Sequence, residues 1–290
     1  MTYLLALCAA FCAATGAALQ HREVAEVPSH QAGGLRLVLA SLRRPGWLIG
    51  MGVLLAAPVF QFLALKVGDL TQVQPMLTTE LLFLLAIIIV THHQRPGRRE
   101  WFGAAAIVIG LVGFLISANP HGGTKTLSTN WMVVLTVATA LIVTVILVTT
   151  RFSRGWAKAS LFGAAAASCF AYQASMTKVL AGTNASSLLT SPSLIGLAVG
   201  GGLGFYFFQH ALRAGHVAAS RASMVIVNPI LSMVIGVLAF GEIISGGEGR
   251  IAVEVAGIAI LLVGAYLLAT SSMITEAESP GRIEVQATTP

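Results

Sequence analysis

Nine apolar runs divide this chain, at residues 3–20, 47–66, 70–92, 101–118, 130–149, 157–179, 193–211, 217–240 and 251–270. An α-helix rises about 1.5 Å per residue, so runs of about twenty residues match the roughly 30 Å hydrocarbon core of a bilayer. Inside lipid a backbone must satisfy its own hydrogen bonds, which a helix does within one segment. A water-soluble fold is excluded by composition. The chain is 56% hydrophobic and only 10% charged, with a mean hydropathy of +0.84, whereas soluble domains carry about 25% charged residues. The expected fold is all-α, a polytopic transmembrane bundle of nine helices.

Thr2 to Leu19 is apolar and Ala17-Ala18 mimics a signal-peptide cleavage site. No Lys or Arg precedes it, so the basic start of a signal peptide is missing and a retained first helix is expected. Trp47, Trp101, Trp131 and Trp156 each open a run, where an amphipathic ring prefers the headgroup layer. Cys8, Cys12 and Cys169 lie in apolar stretches and read as small buried hydrophobes rather than bridges or metal ligands.

The net charge of +6 reads as topogenic charge and not as a nucleic-acid surface. One set of loops holds Arg22, Arg36, Arg43, Arg44, Arg95, Arg98, Arg99, Arg151, Arg154, Lys158, Arg213, Arg221 and Arg282, and the other holds Lys66, Lys125, Lys178 and Arg250. That division, 13 against 4 of all 17 basic residues, places the first set in the cytoplasm. The expected protein is multi-pass in the cell membrane, with its N-terminus outside and its C-terminus inside. Leu35 to Arg44 mixes leucines with arginines and reads as a surface-lying segment. The polar stretch 273–290 reads as a disordered cytoplasmic tail.

The two halves of the transmembrane domain (1–272) resemble each other. Ala64-Leu65-Lys66-Val67-Gly68 returns 147 residues later as Ala211-Leu212-Arg213-Ala214-Gly215. Leu111-Val112-Gly113-Phe114 matches Leu262-Val263-Gly264-Ala265, and Cys12, Ala17 and Leu19 match Cys169, Ala174 and Met176 more loosely. Helices one to four (3–118) then pair with helices six to nine (157–270), and helix five (130–149) is the connector. Because four helices and one connector make an odd number, the second copy enters the membrane inverted. Inverted repeats are a mark of secondary transporters, whose site lies near the midplane between the copies.

Ala222 to Ala269 resembles the last two helices of drug/metabolite transporters of the EamA type, through Asn228-Pro229-Ile230-Leu231, Gly236-Val237-Leu238-Ala239-Phe240-Gly241-Glu242, Gly257 and Gly264. Residues 48–118, with Arg98-Arg99-Glu100-Trp101-Phe102-Gly103, are similar to the matching part of the first half. The resemblance implies ten helices in two inverted five-helix repeats, so one helix of the first repeat is missing here. Thr91-His92-His93 also stands where the second half has Phe240-Gly241-Glu242. Nine helices with an outside N-terminus is similar to the NIPA-type magnesium transporters.

Ionisable groups within a span are costly and are functional candidates by default. Glu80 falls near the middle of the third run. Desolvation disfavours the charged form of a carboxyl group, so such a residue can exchange a proton for a cation or cationic substrate; its structural alternative is a protonated side chain bonded between helices. The same run carries Gln72, Gln74 and Pro75, and the eighth carries Arg221, Asn228 and Pro229. Proline-interrupted helices at matching places in two halves point to a transport site. Gln61, Gln173 and Gln209, with His210, form a second tier in which cross-helix bonding is as good a reading. Gly196, Gly200 and Gly204 make one close-packing face of the seventh helix, suited to a neighbour within the chain or, alternatively, to a homodimer seam.

Other motifs do not carry chemistry. Gly122-Gly123-Thr124-Lys125-Thr126 lacks the spacing of a phosphate-binding loop. Adjacent His92 and His93 point apart on a helix and make a poor metal site. Asn184-Ala185-Ser186 is a formal glycosylation sequon. Glu242, at a helix end, reads as solvated. No catalytic arrangement, cofactor or metal site is expected, and with no ATP-binding segment the driving force would be a gradient. The expected function is a secondary transporter moving a small molecule or ion by alternating access. The alternatives are magnesium transport, which needs hard oxygen ligands, and a membrane scaffold or accessory subunit without transport.

Overall fold

The computed structural model describes residues 1–25, 44–244 and 250–277, and these are helical almost throughout. Most of the stretch 35–44 and of the terminal tail therefore lies outside the described residues. The helices are α1 (Thr2–Ala25), α2 (Pro45–Val67), α3 (Leu70–Leu77), α4 (Glu80–His92), α5 (Arg98–Ala118) and α6 (Thr129–Phe152). They continue with α7 (Gly155–Ala181), α8 (Pro192–Arg213), α9 (Val217–Phe240), α10 (Ile251–Ala269) and the short α11 (Ser272–Ala277). The chain is a polytopic all-α bundle, and among the described residues eight spans are long and apolar enough to cross a membrane, α3 and α4 counting as one.

The remaining expected span, α7, is 27 residues long but too polar to qualify on hydropathy. Its position explains why. From Ala165 to Ala181 nearly every residue is buried, and α2, α3, α6, α8 and α9 pack around it. A helix enclosed by other helices meets protein instead of lipid, and its residues can be small or polar. The peripheral α6 is the opposite case: it buries only Leu135, Val143 and Thr150, a seven-to-eight-residue spacing that gives one narrow contact stripe. Trp101, Trp131 and Trp156 are exposed at helix starts.

Glycines set two close helix contacts that bear on the repeat. On α8, a Cβ at Gly196 would press on Met176 and Tyr172, at Gly200 on Tyr172 and the Cys169 carbonyl, and at Gly204 on Phe170. This face is therefore used inside the chain, against α7, and not as a homodimer seam. The second contact joins α5 to α10 reciprocally. A Cβ at Gly103 would lie 3.2 Å from the Gly264 carbonyl, and one at Gly264 2.7 Å from the Gly103 carbonyl. Gly110 and Gly257 face each other's carbonyls in the same way, at 2.6 and 3.1 Å. Gly113, which the sequence paired with Gly264, has open space around it; Gly110 plays that packing role. In each helix a buried glutamate, Glu100 or Glu254, stands three residues before the first glycine and ten before the second.

Two expectations fail locally. The third run is not one helix: it breaks at Thr78-Thr79. The tail does not begin disordered, because Ser272–Ala277 is helical and Met273 and Ile274 are buried beside Leu81, Leu84 and Leu85 of α4.

Candidate functional site

The first half of the broken span, α3, is enclosed by the rest of the bundle. Helix α3 contacts α1, α2, α5, α7 and α9, and Leu70, Thr71, Val73, Gln74, Pro75 and Met76 are all buried. Pro75 has no N–H to donate to the Thr71 carbonyl, which weakens the ladder at that point. Beyond it the bonds tighten to a three-residue pattern, Thr78 N–H to Pro75 O at 3.2 Å and Thr79 N–H to Met76 O at 3.0 Å. The Thr79 hydroxyl also donates to Met76 O at 2.7 Å. Glu80 then opens α4 as its first residue, so it stands at a helix break and not within a continuous helix. Ten residues of rise below Leu70 is about 15 Å, which sets the break near the middle of a core roughly 30 Å thick.

Two polar groups on α3 are buried with no hydrogen-bond partner: the Thr71 hydroxyl and the Gln74 amide nitrogen. An unpaired buried polar group costs about 1–3 kcal/mol, and both groups lie on the same side of a helix at i and i+3. The other sequence candidates are spread around this centre. Gln72 is tied down, its amide donating to the Pro120 carbonyl. Asn228 accepts from the Ser232 hydroxyl at 3.4 Å, on α9, which packs against α3. Unlike Pro75, Pro229 leaves its helix unbroken. Gln61 and Gln173 come together, with Thr177, in a largely apolar cleft of about 240 Å³ between α2, α7 and α8. Arg221 lies 5.5 Å from the Phe208 ring, at the opposite end of α9 from Glu242. Gln209 is half-buried on α8, and His210 stacks on Phe162.

The strongest polar constellation is one the sequence did not suggest. Lys178 was assigned to a loop and Glu242 to a solvated helix end; both side chains are fully buried. Lys178 Nζ donates to Glu242 Oε1 at 2.6 Å and to Asp69 Oδ1 at 2.8 Å, and lies 4.7 Å from the Phe240 ring centre. The two Glu242 oxygens accept from the Leu70 and Thr71 backbone N–H groups, each at 2.8 Å. Glu242 is thus a carboxylate seated on the N-terminus of α3, where the free N–H groups and the helix dipole favour an anion. Gly241 makes this placement feasible: its left-handed φ of 64° ends α9 and turns Glu242 back, its N–H donating to Gly236 O at 3.0 Å.

A loop closes over these three charges. A Cβ at Gly123 would fall 2.5 Å from Glu242 Cγ, 2.6 Å from Asp69 Oδ1 and 2.9 Å from Lys178 Nζ, so only glycine fits. The loop is held by Thr124 N–H to Phe240 O at 2.8 Å and by a backbone bridge between His121 and Ile243. The glycine pair that failed as a phosphate loop has a packing role here. Three charges at three predicted helix ends, with Gly122-Gly123 between two runs, is the signal that could have found the cluster. Among the described residues no group of three or more His, Cys, Asp or Glu side chains is placed to hold a metal ion.

Residues 1–116 match the EamA-like transporter family. The chain is 28% identical over 253 residues to an uncharacterised protein of Corynebacterium glutamicum, an alignment covering 83% of this chain and 85% of that one. No solved structure matches. The family match supports a non-enzymatic, membrane-embedded transporter of a small molecule or ion. The match agrees with the resemblance drawn from the motifs of the first half: residues 1–116 are similar to the EamA-like transporters, which supports the drug/metabolite transporter superfamily.

Proposed function

We propose that the chain is a secondary transporter that moves a small polar or cationic solute across the cell membrane by alternating access, with its site at the α3–α4 break. The observation that carries this reading is the break itself. A span interrupted near the midplane, its first half in contact with five other helices and carrying two unpaired polar side chains, with Glu80 at the start of its second half, has side-chain valences that a solute can satisfy. Glu80 is the residue proposed to couple transport to a proton or cation gradient. Gln74 and Thr71 would contact the solute, and Asn228 would face it from α9.

The inverted repeat belongs to this proposal. The α1–α2 and α7–α8 pairs are close partners, as are α3 with α9 and α5 with α10, a pattern that exchange of the two halves leaves largely unchanged. The reciprocal glycine contacts of α5 and α10 support a two-fold axis through that seam. The N-terminus outside and the C-terminus inside remain the orientation favoured by the loop charges. Reconstitution into proteoliposomes with a panel of labelled amino acids, cationic drugs and magnesium tests the reading. Saturable uptake or counterflow of at least one solute is expected, and no flux of any class above protein-free vesicles would favour the scaffold alternative.

A further inference from the structure

Resting on the alternating-access reading, we infer that Lys178, Asp69 and Glu242 form a lock on the outer mouth of the transporter, so that the resting protein is closed to the outside. Lys178 on α7 and Glu242 after α9 belong to the second half of the chain; Asp69 and the N-terminus of α3 belong to the first. Three bonds therefore cross between the halves: Lys178 to Asp69, and Leu70 and Thr71 N–H to Glu242. One stays within the second half, Lys178 to Glu242.

That division determines what opening does to the charges. Separating the halves breaks the three crossing bonds and leaves Lys178 paired with Glu242, so neither is stranded alone in a dry site, the arrangement that costs most. Asp69, the only one of the three side chains with any exposure, at 13%, is released toward water. The Gly122-Gly123 loop packs on the cluster and must lift at the same time.

Among the described residues, the positions of the opposite mouth that correspond to Asp69 and Glu242 carry no such carboxylates. The offset of 147 residues that carries Gly68 to Gly215 carries Asp69 to His216. The left-handed C-caps Gly241 and His93 carry Glu242 to Gln94. Both His216 and Gln94 are exposed. Burial along α9 follows the same asymmetry: Pro229, Ser232, Met233, Gly236, Ala239 and Phe240 are buried in the outer half, against Ser220 and Ala222 in the inner half.

The test is labelling of single cysteines by a membrane-impermeant maleimide, with Cys8, Cys12 and Cys169 replaced. Thr71→Cys places a thiol beneath the lock, at a residue that is fully buried. In intact cells it should react slowly, and Asp69→Asn should raise the rate about tenfold or more, the effect of removing one charge-assisted bond. Asp69→Asn leaves the Lys178–Glu242 pair in place, so the protein should still elute as a single folded species. Asn228→Cys should react from the cytoplasmic face in inside-out vesicles and not from outside. Equal Thr71→Cys rates with and without Asp69→Asn, or Asn228→Cys reacting only from outside, would overturn the lock. The labelling does not depend on flux: the expected labelling in a protein that moves no solute keeps the lock and removes the transporter reading, whereas flux with unchanged labelling does the reverse.

Discussion

Lys178 Nζ lies 2.6 Å from Glu242 Oε1, with both side chains wholly shielded from solvent, although the two residues stand 64 positions apart in the chain. The pair holds the end of α7 to the end of α9, and through Asp69 and the α3 backbone it ties both to the first half. Removing the cation alone leaves two buried carboxylates facing each other. Lys178→Met should therefore cost about 3–5 kcal/mol, seen as a lowered midpoint of thermal unfolding in detergent. Adding Asp69→Asn and Glu242→Gln to Lys178→Met removes the stranded charges and should recover a large part of that loss. A triple variant less stable than the single one would show that the charges do not act as a unit.

Glycine positions give a sharper test of packing. At Gly110 an added Cβ would run into the Leu261 backbone nitrogen and the Gly257 carbonyl, whereas at Gly113 it would meet nothing within 4 Å. Gly110→Ala should destabilise by about 1–3 kcal/mol through overpacking. Gly113→Ala should be neutral or gain up to about 1 kcal/mol from helix propensity. Thermal unfolding of the two variants side by side checks this, and an equal effect at both positions would contradict the α5–α10 seam.

Over the charge cluster, Gly123→Ala should displace the loop because the new methyl group would overlap Glu242 and Asp69. The expected cost is about 1–3 kcal/mol. Gly122, with a left-handed φ of 80°, is strained by any side chain for a different reason, its backbone angle. Asn at 122, which tolerates that region better than Ala, should do less harm there than Ala, while at 123 Asn should do more harm than Ala. Opposite rankings at the two sites, read from unfolding midpoints, distinguish the causes.

Orientation is open to direct measurement. Reporter fusions after residues 96 and 153 should give a cytoplasmic signal, and those after 124 and 185 an external one. The reverse pattern would exchange the inner and outer mouths and move the lock to the cytoplasmic face.

The sequence made the spans legible because lipid-facing helices must be apolar along most of their length. It also led to α7, read as an apolar run opened by Trp156, although that helix is less apolar than the eight spans that qualify on hydropathy. The break at Thr78-Thr79 was not legible: Pro75 announces a weakened ladder, but Pro229 sits in an equally apolar helix that stays continuous. The Lys178 cluster was hidden for another reason. Each of its charges stands at the end of a run, where a linear reading assigns it to water, and only the convergence of α3, α7 and α9 removes that water. In the repeat, the similar local triplets Leu-Val-Gly paired Gly113 with Gly264, while the spacing from Glu100 and Glu254 gives the register in which Gly110 and Gly264 correspond.

The site at the α3–α4 break is tested most directly through Glu80, by comparing gradient-driven uptake with solute counterflow in proteoliposomes for the wild type and Glu80→Gln. Gln keeps the shape and can hydrogen-bond, but it carries no exchangeable carboxyl proton and no negative charge. The account predicts that Glu80→Gln folds and inserts normally, loses gradient-driven uptake to background, and retains counterflow; Glu80→Asp keeps partial uptake with a shifted pH optimum. Gradient-driven uptake by Glu80→Gln at the wild-type rate across a pH series, with an unchanged solute profile, would contradict it.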